Sequence, residues 1–297
     1  MLFNFPRFPG IILTWALLTM LVSCVTAPQE LPPPRPAKVA VVLGAGASKG
    51  FAHIGVLKIL ELNKIPIHMV VGTSVGSFVG GLYAYGYTPY ELQTIAFALQ
   101  RDDLVDYIMP DNGFIKGEKL ENFVNNKVKY TPIDKFKTTF YAVAANIKNG
   151  EEIAFGRGNT GKAVRASCSI PGIFQPTVVA DQMYVDGGVV SPVAVDLARR
   201  YGADLIIAVD ISAGLSSSTP TGTVETIMQA VDIMHTKISA VQLRNADIII
   251  KPKVSQIGAI DFTKRHEAIM EGEKAAAEAM PAINQIITKL RQEGRLP

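Results

Sequence analysis

The feature that most constrains this chain is a glycine-flanked serine between a strand-like run and a helix-like run. Residues 67–71 have the pattern of a buried strand, and residues 78–85 have that of a helix. Between them lies Gly72-Thr73-Ser74-Val75-Gly76, the G-x-S-x-G pattern of a nucleophile elbow. Such a turn closes only when the residues beside the serine carry almost no side chain. The pattern predicts that Ser74 is a nucleophile, and a plain tight turn is the alternative.

A second glycine-rich turn precedes this serine. Val39–Leu43 is a continuous apolar run typical of a strand covered on both faces, and Phe51–Leu62 has the pattern of an amphipathic helix. Residues 44–50 between them read Gly-Ala-Gly-Ala-Ser-Lys-Gly, which presents backbone N–H groups that suit an anion. Three interpretations are open: a dinucleotide site, a plain turn, and an oxyanion hole serving Ser74. The first lacks the usual glycine spacing and an acidic residue at the end of a second strand.

The N-terminal residues are predicted to lie outside the folded domain. Residues 11–22 form an apolar run that is too short for a membrane span and suits the core of a signal peptide. The run ends in Leu21-Val22-Ser23-Cys24, which resembles the lipobox of bacterial lipoproteins. That resemblance implies a signal peptide over residues 1–23 and a lipid on Cys24. An ordinary signal peptide or a short anchor is the alternative.

A proline-rich tether is predicted to follow, over residues 24–37, with an extended and semi-rigid backbone. Val25 stands where an aspartate would signal retention in the inner membrane. The lipobox resemblance therefore implies the bacterial cell envelope, at the periplasmic face of the outer membrane. If Cys24 carries lipid, Cys168 has no partner for an intrachain disulfide.

The remaining residues, 38–297, are predicted to form one domain. The chain is 48% hydrophobic and 19% charged, which suits a globular domain with a sizeable core. Its net charge of +3 and the lack of a basic cluster argue against a nucleic-acid partner. Strands alternate with helices, which predicts a three-layer α/β/α sandwich with a mostly parallel central sheet. No Cys/His cluster has metal-ligand spacing, so neither a metal site nor a cofactor is predicted.

The motifs together resemble those of the patatin-like phospholipases. The glycine loop ends in Lys49-Gly50, residues 52–57 read Ala-His-Ile-Gly-Val-Leu, and the Ser74 pentapeptide follows. Tyr184-Val185-Asp186-Gly187-Gly188 is similar to the Asp-Gly-Gly/Ala motif of that family, and residues 167–176 resemble the segment before it. The resemblance covers about residues 38–210. It departs from the family in the glycine loop, where alanine fills two of four positions that are often glycine. Alanine keeps its N–H, so the oxyanion hole survives if neither alanine needs a positive φ.

The resemblance implies a serine hydrolase that acts on acyl esters of lipids through a Ser74–Asp186 dyad, without histidine. Asp186 would take the proton of the Ser74 hydroxyl and pass it to the leaving alcohol. The backbone N–H groups of Gly46 and Ala47 are expected to stabilise the oxyanion, with Gly44 or Ala45 as further candidate donors. Lys49 would bind substrate phosphate or form a structural ion pair. Without the family, Asp186 reads as a turn residue.

Two further hypotheses compete with the dyad. One is a Ser-Asp-His triad, for which only His235 and His266 follow Asp186 in the order of the α/β-hydrolases. Both lie in predicted helices, which favours surface or packing roles; His53 and His68 precede the serine. The other hypothesis is a non-catalytic lipoprotein that keeps the fold to bind acyl chains or partners.

Asp210, at the end of a predicted strand, is a minor acidic candidate and is interpreted as a loop cap. A dyad predicts an acidic limb in the pH–rate profile and none near the histidine value of about 6.5.

Overall fold

A computed structural model describes residues 1–4, 34–109, 111–212 and 219–297 of the chain. Contacts divide the chain into two units, Met1–Arg35 and Pro36–Pro297. Every strand and helix named below lies in the second unit. Most of the predicted signal peptide, the lipidation site Cys24 and most of the tether fall in residues 5–33, outside the described residues, and remain predictions. In the described part of the chain, no helix is long and apolar enough to cross a membrane.

The second unit alternates strands and helices. The strands are β1 (Val39–Leu43), β2 (Met69–Thr73), β3 (Thr139–Asn146), β4 (Glu152–Phe155), β5 (Thr177–Val179), β6 (Gln182–Asp186), β7 (Leu205–Val209) and β8 (Ile248–Ile250). The helices are α1 (Phe51–Leu62), α2 (Val75–Tyr85), α3 (Pro89–Ala98), α4 (Glu118–Lys127), α5 (Thr160–Ser167), α6 (Val195–Arg200), α7 (Thr223–Gln242) and α8 (Arg265–Gln292). A 3₁₀ turn, Ala47–Gly50, leads from the glycine loop into α1.

These strands form one mixed sheet in the order β5-β6-β3-β2-β1-β7-β8, with β4 paired to β3 outside this path. The five strands from β3 to β8 pair in parallel. Strands β4, β5 and β6 pair antiparallel at the β3 side. Carboxyl ends of parallel strands share one edge of a sheet, so the turns after β1 and β2 lie side by side there.

Helices cover both faces of the sheet. On β1, Val39, Val41 and Leu43 face a large apolar core formed with α1, α2 and α8. Ala40 and Val42 face the opposite way, into a smaller core that includes residues of α6. This alternation explains why the strand is apolar at every position. The predicted three-layer α/β/α fold is confirmed, and its central sheet is mixed.

The sequence predicts a helix over residues 263–291 that is broken or kinked near Pro281, and the structure contradicts the break. Helix α8 runs without interruption from Arg265 to Gln292 with Pro281 inside it. A proline removes one helical hydrogen bond, but packing on both sides of it holds the helix together. Ala276 and Met280 before the proline, and Ile283 after it, are all buried in the main core.

Candidate active site

Ser74 lies in a sharp turn between β2 and α2. Its φ of 56° and ψ of −127° are strained for a residue with a side chain, as a nucleophile elbow requires. The neighbouring glycines are needed for space. A Cβ on Gly72 would lie 2.4 Å from the Gly76 carbonyl oxygen, and one on Gly76 would lie 2.0 Å from the Leu43 carbonyl oxygen. The predicted elbow is therefore present, with Ser74 only 4% exposed.

Asp186 ends β6 beside the elbow. Because β6 pairs with β3, Asp186 lies opposite Ala144, near the same edge of the sheet as Ser74. Its Oδ1 accepts a 2.7 Å hydrogen bond from the Gly188 N–H. Its Oδ2 is buried and has no hydrogen-bond partner among the described residues. The structure thus supplies a buried carboxylate oxygen that is free to accept a proton.

Burial controls the proton affinity of Asp186. The side chain is almost fully buried, and burial raises its pKa from 3.8 to about 7. The Ser74 hydroxyl and the Gly188 N–H oppose that rise. The hydroxyl is thus close enough to lower the pKa, although no aligned hydrogen bond joins it to Oδ2. Such bonds often shorten only when substrate binds. A pKa near 7 suits a general base that works at neutral pH.

The last residue of α5 and the segment that follows it position both Ser74 and Asp186. The Ser167 hydroxyl accepts a 2.9 Å hydrogen bond from the Ser74 N–H and donates to the Val143 carbonyl. Two residues on, the Ser169 carbonyl accepts from the Asp186 N–H at 2.9 Å. The sequence resemblance includes this segment but implies no role for Ser167, because its contacts are with Ser74 and with Val143 of β3, far away in the chain.

The glycine loop presents two free backbone donors. The Gly44 N–H donates to the Val209 carbonyl at 3.0 Å, and the Ala45 N–H donates to the Pro192 carbonyl at 2.9 Å. These bonds remove Gly44 and Ala45 from the predicted oxyanion donors. The N–H groups of Gly46 and Ala47 have no hydrogen-bond partner within the described residues. Among the residues that the structure describes, Gly46 and Ala47, the donors expected first, therefore remain available, and the further candidates Gly44 and Ala45 do not.

Ala47 has a positive φ of 49°, whereas Ala45 does not. The sequence predicts an intact oxyanion hole on the condition that neither alanine of this loop has a positive φ, and Ala47 does not meet that condition. A left-handed alanine costs roughly 1 kcal/mol, which the surrounding bonds must offset. Immediately after it, the Ser48 N–H donates to the Ala259 carbonyl, and the Ser48 hydroxyl donates to the Gly258 carbonyl at 2.6 Å.

Two roles are predicted for Lys49, binding of substrate phosphate and a structural ion pair, and the structure shows the ion pair. Its Nζ lies 2.9 Å from Asp232 Oδ2 on α7, and the lysine is 2% exposed. The side chain does not line the cavity described below. The prediction that it binds substrate is therefore corrected: the lysine joins the glycine loop to α7. Asp210 is likewise a loop cap, since its Oδ1 accepts from the Ser212 N–H at 2.9 Å.

The two histidines that follow Asp186 are not arranged as a triad base. His266 is exposed, and its ring lies against Phe97 with 6.5 Å between centroids. His235 is buried against Gly188, where a Cβ would lie 2.2 Å from its Nε2. Burial lowers the pKa of His235 to about 4, and no hydrogen bond joins it to Asp186.

The two earlier histidines have backbone partners. His68 is exposed, and its Nδ1 accepts from the Val39 N–H at 3.1 Å. His53 is buried, and its Nε2 lies 2.8 Å from the Gly44 carbonyl oxygen.

An apolar cavity of about 240 Å³ opens beside Ser74. Helices α2, α3 and α7 contribute Leu82, Ala96 and Met228 to its wall. Its few polar side chains are Ser48, Ser74, Arg101, Tyr107 and Cys168. Burial and the Asp186 carboxylate raise the pKa of the Cys168 thiol, so it stays protonated. The cavity is therefore suited to a hydrocarbon chain with its polar end at Ser74.

Comparisons with known proteins concern the family and the fold of the chain. A sequence model described as patatin-like phospholipase matches residues 41–199, more than half of the 297 residues. An uncharacterized NTE family protein of Mycobacterium tuberculosis is 29% identical over 271 residues, covering 82% of this chain and 46% of the relative. Lysophospholipase NTE1 of Meyerozyma guilliermondii is 34% identical over 179 residues, covering 58% of this chain and 12% of that protein.

The fold also matches a solved structure. The chain is similar to VipD from Legionella pneumophila, with a TM-score of 0.59, 12% identity, and coverage of 84% of this chain and 67% of VipD. At that identity the likeness concerns the fold alone. The chain spans about half the length of the mycobacterial relative and a smaller share of the fungal one. On the match of the family model over more than half of its length, the chain belongs to the patatin-like phospholipase family.

Proposed function

We propose that this protein is a serine hydrolase that cleaves acyl esters of lipids with Ser74 as nucleophile and Asp186 as general base. The observation that carries the proposal is the buried Oδ2 of Asp186, which no described residue hydrogen-bonds, beside a serine in strained elbow geometry. A merely structural aspartate at this depth would have both oxygens paired. The name of the fungal relative, a lysophospholipase, supports the same reaction class.

In the proposed reaction, Ser74 Oγ attacks the ester carbonyl carbon while its proton moves to Asp186 Oδ2. The carbonyl oxygen becomes an oxyanion that accepts hydrogen bonds from the Gly46 and Ala47 N–H groups. The tetrahedral intermediate collapses, the C–O bond of the alcohol breaks, and Asp186 returns the proton to the leaving oxygen. Water then hydrolyses the acyl-serine by the same steps, which releases the fatty acid.

The cavity supports a substrate with one enclosed acyl chain. Its volume of about 240 Å³ is below the range of roughly 300–1,000 Å³ typical of ligand pockets, so a second chain and the headgroup would remain outside. Tyr107 and Ile260, which line the cavity, are 63% and 53% exposed. An exposed apolar rim suits a protein that takes its substrate from a lipid surface.

We also propose that Cys24 carries a lipid that anchors the protein at the periplasmic face of the outer membrane. The lipobox-like Leu21–Cys24, the proline-rich tether and Val25 support this proposal. An anchor of this kind would hold the domain within reach of its substrates.

A hydrolysis screen tests the enzymatic proposal. The full chain, purified in detergent, is given phospholipids, lysophospholipids and simple acyl esters, and released fatty acid is measured. Hydrolysis of at least one class is expected, with loss of several orders of magnitude in Ser74→Ala. The control variant is Thr288→Ala, which removes an exposed hydroxyl on α8 that does not line the cavity. If the wild type binds lipids but hydrolyses none of the classes, the non-catalytic lipoprotein replaces this proposal.

A further inference from the structure

We infer that His53 is a positioning residue for the oxyanion hole, acting as a neutral hydrogen-bond donor to the carbonyl of Gly44. The inference deepens the proposed function and rests on it. His53 is the third residue of α1, and its side chain reaches back nine residues to the glycine loop. The ring is 0% exposed, and Nε2 lies 2.8 Å from the Gly44 carbonyl oxygen.

The tautomer of His53 follows from its surroundings. A carbonyl oxygen can only accept, so Nε2 must carry the proton. Burial lowers the pKa of His53 to about 4, although the Gly44 carbonyl and the Asp210 carboxylate favour the charged form. The ring is therefore neutral at neutral pH, and Nδ1 carries no proton. That Nδ1 is buried and has no partner among the described residues, so the single bond to Gly44 fixes the ring.

The hydrogen bond from His53 helps to hold the loop at Gly44, just before Gly46 and Ala47, whose N–H groups have no partner among the described residues. The Gly44 carbonyl accepts from His53, while the Gly44 and Ala45 N–H groups donate to Val209 and Pro192. The peptide units on both sides of Gly44 are thereby held by partners from other parts of the fold. Gly46 and Ala47, whose N–H groups are free, continue directly from this held segment.

Preorganised donors stabilise a developing oxyanion because they need not reorient during the reaction. If His53 no longer donates, the Gly44 carbonyl is left buried and unsatisfied, and its peptide unit is held only through the Ala45 N–H bond to Pro192. A unit held at one end can tilt about that bond, and a tilt turns the following N–H groups away from the oxyanion. The reacting atoms are not touched by His53 itself, so its loss should lower kcat while leaving KM almost unchanged.

Two variants of the full chain separate hydrogen bonding from packing. His53→Leu fills space but donates nothing, whereas His53→Gln places an amide N–H near the position of Nε2. His266→Leu is the matched control, because His266 is exposed at the start of α8 and does not line the cavity. The measurements are kcat and KM on a soluble short-chain ester, the melting temperature, and the rate at which a fluorophosphonate labels Ser74.

In His53→Leu, kcat and the labelling rate are expected to fall at least tenfold and at most by the ~10²–10³ of one lost oxyanion donor. KM should stay within about twofold, and His53→Gln should recover most of the loss. His266→Leu should match the wild type. Equal rates in folded His53→Leu and wild type would overturn the inference. Equal losses in both His53 variants, in proportion to their melting temperatures, would also overturn it, because that pattern indicates packing alone.

A wild type without esterase activity would defeat the proposed function and still leave the inference decidable. Nitrogen-15 NMR of the histidine rings reports the tautomer directly. A neutral His53 with its proton on Nε2, together with slower fluorophosphonate labelling in His53→Leu, would support the positioning role. A proton on Nδ1 alone, or a charged ring at pH 7, would refute it.

Discussion

Replacing Asp186 with asparagine should stabilise the protein and inactivate it at the same time. Burial raises the pKa of Asp186 from 3.8 to about 7, so the ionised carboxylate is disfavoured in the folded state. A gap of about three pKa units at 1.36 kcal/mol per unit corresponds to about 4 kcal/mol, as an upper estimate. Asparagine keeps the shape and the acceptor for the Gly188 N–H but never ionises.

The sign of this effect depends on pH. Below about pH 4 the carboxyl is protonated in both the folded and the unfolded states, so wild type and Asp186→Asn should be equally stable. Between about pH 4 and 7 the unfolded state binds fewer protons than the folded state, so wild-type stability falls as pH rises. The variant lacks this loss and should have the higher melting temperature above pH 7. A variant less stable than wild type at pH 8 would refute the raised pKa.

Activity should move in the opposite direction. Loss of a general base lowers the rate by ~10²–10⁴, so folded Asp186→Asn should be almost inactive at every pH. The wild-type kcat/KM should rise with pH and level off above about 7. This corrects the expectation of no limb near 6.5, because burial moves the carboxylate into the histidine range. A small temperature dependence of the limb identifies a carboxylate. A folded and active Asp186→Asn would falsify the dyad.

Three further predictions address the rival mechanism, the cavity and the anchor. His235→Ala and His266→Ala should keep most ester hydrolysis, measured on folded protein; a loss of several orders of magnitude in either would favour a triad. Ala96→Phe narrows the apolar cavity and should shift the preferred acyl chain to shorter lengths in a chain-length series, and an unchanged profile in a folded variant would contradict the assigned cavity. A fatty-acid probe should label the wild type in bacterial cells and not Cys24→Ser; equal labelling of both would exclude lipidation at this cysteine.

Local patterns in the sequence determined the elements around the site. The strand Val39–Leu43 and the helix Phe51–Leu62 were predicted with the bounds that the structure has. Both signals are strong, since the strand is apolar on two faces and the helix is long enough to show a period. The elbow at Ser74 is also local, because its strained backbone and its need for small neighbours are properties of consecutive residues. By contrast, α5 and α6, of eight and six residues, were not predicted because they are too short for a periodic pattern.

The tertiary structure alone decided which groups in the site are free to react. The N–H groups of Gly44 and Ala45 donate to the carbonyls of Val209 and Pro192, and so neither is available to an oxyanion. These partners lie more than 140 residues further along the chain, and no local pattern specifies them. Lys49 pairs with Asp232, which lies 183 residues further along the chain, and its side chain does not line the cavity. The pKa of Asp186 depends on how deeply the whole fold buries it, a property of packing density around a point. The sequence can name the atoms that do the chemistry, but their hydrogen bonds and solvation come from the folded neighbours that surround them.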